Sequence, residues 1–76
     1  MIANCMTPAN ITIQFNGQTL DVPARTTIEQ LLTLAEIRSR LVAVEVNLEI
    51  VPREQHALHC LAPGDVIEAV TLVGGG

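Results

Sequence analysis

The sequence predicts an α+β fold in which a mixed sheet of four to five strands carries one packed helix. Alternating apolar and polar residues flank an Asn-Gly pair, which is typical of a β-hairpin. One stretch, residues 28–37, places apolar residues at helical spacing. Short segments rich in β-branched residues follow it, separated by Pro and Gly. Strands on both sides of a single helix favour a mixed sheet with the helix packed across one face.

The first strand pair is the clearest local signal. Residues 11–15 and 18–22 alternate, and Asn16 and Gly17 between them suit a tight hairpin turn. Pro23 cannot donate to a central ladder and ends the second strand. We expect these apolar side chains of the hairpin to face the core: Ile11, Ile13, Phe15, Leu20 and Val22.

The predicted helix begins at a capping box. Thr26 and Glu29 match the S/T-x-x-E pattern, in which each side chain bonds a backbone N–H at the other residue. Arg38 lies where a cation suits the negative end of the helix dipole. We expect one apolar face, widened at its C-terminal end, formed by Ile28, Leu31, Leu32, Leu34, Ala35 and Ile37.

The second half of the chain predicts three more strands. Residues 41–46 and 49–51 are strand-like, with a turn at Asn47 and Leu48, and Pro52 closes the second of these strands. Residues 53–61 are irregular with room for one helical turn, and residues 62–65 form a turn by composition. The last strand covers residues 66–72.

Length and composition set limits on the protein. Seventy-six residues make one domain near the size at which a single core is marginal. No apolar run approaches the ~18 residues that span a bilayer, so we expect a cytoplasmic protein with no membrane contact. We divide the chain into a flexible N-terminal extension (1–9), a folded domain (10–73) and a glycine tail (74–76).

The charge pattern narrows the class of partner. A net charge of −4 argues against nucleic acid, which needs a basic stripe, and favours docking on a basic protein surface. Lysine is absent, so lysine-linked polymers of this chain are chemically excluded.

The end of the chain is the candidate site. The last predicted strand passes through Val73 into Gly74, Gly75 and Gly76, and we expect Gly76 to be a free terminus. At about 3.3–3.6 Å per residue, three glycines reach roughly 10 Å and enter a cleft that rejects a Cβ. The alternative is an ordinary frayed terminus. Fraying would explain a single terminal glycine, but it explains three glycines after a strand less well.

Several segments of the chain together match the pattern of one known family. They are the hairpin with Asn16 and Gly17, the single helix, and residues 44–47, 50–53, 64–68 and 73–76. With these segments, residues 10–76 resemble the ThiS family, the sulfur carriers of thiamin thiazole biosynthesis. The resemblance implies a ubiquitin-like β-grasp fold with a flexible Gly-Gly tail.

The resemblance also implies the chemistry. The carboxylate of Gly76 would be adenylated by a ThiF-type adenylyltransferase, related to ubiquitin-activating enzymes, which uses ATP. Sulfur from a donor such as a cysteine desulfurase persulfide would convert it to a thiocarboxylate, which a ThiG-type thiazole synthase would receive. Gly74 and Gly75 would enter the partners' active sites, and Arg53 is a candidate partner contact. The chain is then a carrier and co-substrate rather than an enzyme, and binds no cofactor itself.

Two other functions share such a tail and stay open. One is the small subunit of molybdopterin synthase, and the other is a ubiquitin-like protein modifier. Residues 51–53 (Val-Pro-Arg) and the Gly-Asp turn at residues 64–65 favour the thiamin carrier over the molybdopterin subunit. The sequence departs from the family at His56, where members often carry tryptophan, and in its N-terminal extension.

Competing sites are weaker. His56, His59 and Cys60 are potential metal ligands, but a closed zinc site needs four, so we expect no metal. We expect both histidines near the surface and Cys60 packed as a small hydrophobe. Two cysteines cannot ligate a four-cysteine iron-sulfur cluster, and a disulfide between Cys5 and Cys60 is not expected in the cytosol. Ser39 has no histidine near it in sequence, which argues against a catalytic triad.

Overall fold

The computed structural model describes residues 10–38 and 41–71. The strands are β1 (Asn10–Phe15), β2 (Gln18–Pro23), β3 (Val42–Val46), β4 (Glu49–Val51) and β5 (Val66–Thr71). The helix α1 (Ile28–Leu34) lies between β2 and β3, and a 3₁₀ helix (Arg53–Gln55) follows β4. The predicted extension, residues 39–40 and residues 72–76 lie outside the described residues.

The five strands form one sheet in the order β2-β1-β5-β3-β4. β1 and β5 are parallel, whereas the other neighbouring strands are antiparallel. The sheet is therefore mixed, which confirms the predicted α+β arrangement. β5 is the last of the described strands in sequence but the central strand in space, with β1 on one side and β3 on the other.

The core lies between α1 and one face of the sheet. Three predicted hairpin residues, Ile11, Ile13 and Val22, are buried, and Phe15 and Leu20 pack partly buried against them, which confirms the predicted register. The other buried apolar side chains come from α1, the later strands and one connecting segment: Ile28, Leu31, Leu32, Val44, Val46, Val51, Leu61 and Ile67.

The helix begins one residue later than the pattern predicts. Thr27 is the N-cap: its Oγ1 accepts from the Gln30 N–H at 3.1 Å, and Gln30 Oε1 accepts from the Thr27 N–H at 3.0 Å. The predicted box of Thr26 and Glu29 is wrong because Thr26 is turned away from the helix. Its buried side chain donates from Oγ1 to the Pro23 carbonyl at 2.6 Å.

The helix also ends earlier than the apolar pattern suggests. Glu36 has a φ of +61°, and the Glu36 and Ile37 N–H groups donate back to Thr33 and Leu32 carbonyls at 3.0 and 2.8 Å. These are the two bonds of a Schellman motif. Ile37 is thereby folded back against the core, whereas Leu34 is 60% exposed, so its predicted place on the buried face is wrong.

The turns of the second half follow the prediction. Asn47 and Leu48 connect β3 to β4 with φ angles of +53° and +72°, the same left-handed pair that Asn16 and Gly17 adopt at +50° and +82°. The 3₁₀ helix supplies the helical turn expected within the irregular segment. No helix in the described part of the chain is long and apolar enough to cross a membrane.

Candidate functional site

The predicted sulfur-carrying tail begins where the description of the chain ends. Thr71 closes β5 and pairs with Val42 of β3, while Gly74, Gly75 and Gly76 lie outside the described residues. The structure therefore places Thr71, the last described residue before the tail, at the end of the central strand. The prediction for the three glycines themselves stays a prediction.

The face of the sheet opposite α1, here called the outer face, is partly apolar. Ile50, Val66 and Val70 are 63%, 41% and 57% exposed on it. Glu45 pairs with Ile50 on one side and with Glu68 on the other, which brings two carboxylates together between the apolar residues. Alternation along β3, β4 and β5 assigns these residues to the outer face: Ala43, Glu45, Ile50, Val66, Glu68 and Val70.

The outer face combines features of a protein-binding surface. Exposed apolar groups supply burial energy on docking, and two like charges in register favour a partner surface of opposite charge. It also includes β5, the strand that precedes the tail in sequence, because Val70 is next to Thr71. Composition alone indicates that some apolar surface stays exposed. The strand register shows that part of this surface lies on the outer face.

Arg53 lies elsewhere, beside the helix. The 3₁₀ helix begins at this exposed residue, which lines a shallow groove together with Arg38, Glu29 and Val42. Val42 is the register partner of Thr71, so the groove reaches the strand pair at which β5 ends. No salt bridge to Arg53 is present among residues 10–38 and 41–71, and its role as a partner contact remains a prediction.

The His/Cys segment has a structural arrangement that the sequence did not reveal. His56 is buried, with Nε2 donating to the Val51 carbonyl at 3.0 Å, so its predicted surface position is wrong. Its own carbonyl accepts from the Glu29 N–H at 3.0 Å, and the His59 carbonyl accepts from the Ile28 N–H at 3.1 Å. These bonds satisfy first-turn amides of α1 and hold the backbone of this segment against the start of the helix.

Cys60 is exposed, which overturns its predicted packing as a small hydrophobe. It forms an isolated antiparallel bridge with Thr27, so its backbone follows the start of α1 while its side chain faces outward. Within the described residues, no group of three His, Cys, Asp or Glu side chains could hold a metal ion.

Comparison with known proteins decides the family. The model of the ThiS family matches residues 11–76. The chain belongs to the ThiS family. The sulfur carrier protein ThiS of Escherichia coli is 38% identical over 64 residues, a match that covers 84% of this chain and 97% of that protein.

A solved structure agrees with this membership. The crystal structure of the thiamine biosynthesis protein ThiS from Geobacter metallireducens matches with a TM-score of 0.75 and 26% identity, over 87% of this chain and all of that one. The predicted ubiquitin-like β-grasp fold is therefore confirmed. By family identity the chain is a small sulfur carrier protein of thiamin biosynthesis and not an enzyme.

A longer protein carries a similar segment. A thiazole synthase of Paramagnetospirillum magneticum is 44% identical over 61 residues, which is 80% of this chain. The chain spans only 19% of that protein's length. The similarity therefore concerns one part of the synthase.

Proposed function

We propose that the carboxylate of Gly76 carries the sulfur. In this proposal a ThiF-type adenylyltransferase uses ATP to form an acyl adenylate at Gly76 and releases pyrophosphate. A sulfur nucleophile, such as a persulfide held by a cysteine desulfurase, then displaces AMP to give an acyl disulfide. A dithiol reductant cleaves the sulfur–sulfur bond and is itself oxidised to a disulfide, which leaves a thiocarboxylate on Gly76 and returns the desulfurase cysteine to a thiol. The observation that carries the proposal is that the ThiS family match extends through residue 76.

The division of labour follows from the chemistry. A carboxylate is a poor electrophile, so the adenylate supplies the leaving group that sulfur displaces. The carrier contributes the terminal carboxylate and a narrow backbone, because Gly74, Gly75 and Gly76 have no Cβ. Proximity to the nucleotide and stabilisation of the developing charge belong to the partner. The carrier itself binds no cofactor in this proposal.

Docking of the folded domain supplies the binding energy that the tail lacks. Ordering each tail residue costs about 1–2 kcal/mol of conformational entropy, which surface burial elsewhere must offset. The outer face suits this task because Ile50, Val66 and Val70 are exposed there. Its pair of carboxylates, Glu45 and Glu68, favours a basic surface on the adenylyltransferase. Arg53, in the groove near the base of the tail, is proposed as a further partner contact.

The receiving enzyme is proposed to be a ThiG-type thiazole synthase. The Paramagnetospirillum magneticum thiazole synthase supports this because one part of it is similar to this chain. A carrier segment and a synthase within one polypeptide favour a shared pathway, and this observation ranks thiazole formation above the molybdopterin and protein-modifier alternatives. We propose the cytoplasm as the site of the reaction, where ATP is available.

The decisive experiment measures pyrophosphate release with the cognate adenylyltransferase. Deleting Gly76, or adding one alanine after it, should abolish release, because the carboxylate moves by about 3.5 Å from the attacking geometry. Gly75→Ala should be adenylated poorly since its methyl crowds the activated carbonyl. Release should also weaken as salt is raised, because docking is partly electrostatic.

A deletion at the other terminus is the matched control. Removal of residues 1–9, which precede the family match, should leave pyrophosphate release unchanged. Each variant should keep the melting temperature of the unsubstituted chain. Normal adenylation of the extended chain would refute the proposal, and intact-mass analysis for a terminal oxygen replaced by sulfur tests it independently.

A further inference from the structure

Asn16 bonds the last strand as well as forming the first turn. Its φ of +50°, next to Gly17 at +82°, suits a type I′ hairpin turn, where asparagine is favoured for its backbone alone. In addition, Asn16 Oδ1 accepts from the Ala69 N–H at 2.8 Å, and Nδ2 donates to the Ala69 carbonyl at 3.3 Å. One side chain therefore satisfies both backbone groups of a residue in β5.

These bonds extend the β1–β5 ladder beyond Phe15, where β1 ends and the hairpin turn begins. The Gln14 N–H donates to the Asp65 carbonyl, and the Asn16 N–H donates to the Ile67 carbonyl, both at 2.9 Å. Ala69 is the next residue of β5 on that side because alternate residues share an edge. A carboxamide carries the same donor and acceptor as a peptide group, so it replaces the missing strand residue.

Ala69 marks a boundary within β5. Ala69 lies opposite Val44 of β3, but its N–H and its carbonyl both bond Asn16 on the β1 edge. Beyond it, Val70 and Thr71 have strand partners on β3 alone within the described part of the chain. Gly76 follows Ala69 by seven residues. Among the described residues, the Asn16 carboxamide is thus the last hydrogen-bonding contact on the β1 edge of β5.

We propose that Asn16 is a positioning residue for the carrier reaction, because its carboxamide holds the end of β5 from which the tail leaves. The inference rests on the proposed function of Gly76. Docking on the adenylating enzyme requires the chain between β5 and Gly76 to take one conformation. Each residue that the carrier's own hydrogen bonds already fix reduces the conformational entropy lost on binding. The benefit is realised on binding, so it appears in the KM for the carrier rather than in kcat.

Asn47 offers a matched control because it makes a similar contact at the opposite end of β5. Its φ is +53°, its Oδ1 accepts from the Val66 N–H at 3.0 Å, and its Nδ2 donates to Asp65 Oδ1 at 3.0 Å. Both asparagines therefore combine a left-handed turn position with side-chain bonds to the same strand. Of the two, Asn16 bonds the residue of β5 that is closer in sequence to the tail.

The test compares Asn16→Gly with Asn47→Gly in the pyrophosphate assay. Glycine keeps the positive φ at either turn and removes only the side chain. Asn16→Gly should raise the KM for the carrier roughly fivefold to thirtyfold and leave kcat unchanged. This factor corresponds to the conformational entropy of about one additional residue that must be ordered on binding. Asn47→Gly should lose similar thermal stability and keep its KM. Asn16→Asp retains the acceptor for Ala69, so its KM should rise less.

Amide hydrogen exchange gives a direct structural readout. Exchange at Ala69 should accelerate in Asn16→Gly and stay slow in Asn47→Gly. An unchanged KM in Asn16→Gly, or an equal rise in both glycine variants, would overturn the positioning role. Absence of pyrophosphate release with the unsubstituted chain would instead refute the proposed function, so the two failures are distinguishable. Asn16→Asp keeps the test valid if the glycine variant does not fold.

Discussion

The start of α1 provides the sharpest test of the folding argument. Thr27 and Gln30 form the reciprocal bonds of the capping box, at 3.1 and 3.0 Å. Thr27→Ala should cost about 1 kcal/mol, within the range of about 0.5–2 for N-cap losses. For a domain of this size that lowers the melting temperature by about 4–8 °C. Gln30→Ala should cost less, because alanine is the better helix former.

A double-mutant cycle separates the observed box from the one that the sequence pattern suggests. Because Thr27 and Gln30 bond each other, their losses should be non-additive by about 0.5–1 kcal/mol in urea unfolding. Thr26 and Glu29 share no bond, so Thr26→Ala and Glu29→Ala should add within about 0.5 kcal/mol. Thr26→Ala alone still loses the bond to Pro23, which costs about 0.5–1.5 kcal/mol. Coupling between Thr26 and Glu29, with none between Thr27 and Gln30, would refute the assigned cap.

Two further predictions concern the second half of the chain. Leu48→Gly should stabilise the fold by about 0.5–1 kcal/mol, because Leu48 is 86% exposed at a φ of +72° that glycine adopts without strain. Gly17→Ala is the matched control, because the added Cβ would meet only open space, and it should destabilise by a similar amount. A lower melting temperature for Leu48→Gly would contradict this reasoning. His56→Ala should cost about 2–4 kcal/mol, since it leaves a cavity and an unpaired Val51 carbonyl. His59→Gln should stay within about 0.5 kcal/mol in chemical denaturation, and equal losses at the two histidines would show that burial of His56 is unimportant.

Local pattern was sufficient for the strands, the hairpin turns and the presence of one helix. Period-2 alternation around Asn16 and Gly17 specified which residues face inward, because a slip by one residue would expose every apolar side chain of the strand. The Gly-rich end and the resemblance to ThiS proteins also rested on consecutive residues, so the family was predictable from the sequence. The tail chemistry at Gly76 remains a proposal.

Contacts that the apolar and polar pattern does not specify decided the rest. Thr26 and Thr27 are both plausible caps by composition, and the bond from Thr26 to Pro23 leaves the role to Thr27.

His56 is polar, so composition placed it at the surface. In the structure its buried ring donates a hydrogen bond to the Val51 carbonyl, and its own carbonyl accepts one from the Glu29 N–H of α1.

The link from Asn16 to Ala69 joins residues 53 positions apart, and turn propensity explains only the backbone half of that asparagine's role. Sequence pattern reports interactions within a few residues, where chain geometry alone sets the spacing. Which hydrogen-bonding group meets which across the fold is decided only when the sheet assembles and every buried donor and acceptor must find a partner.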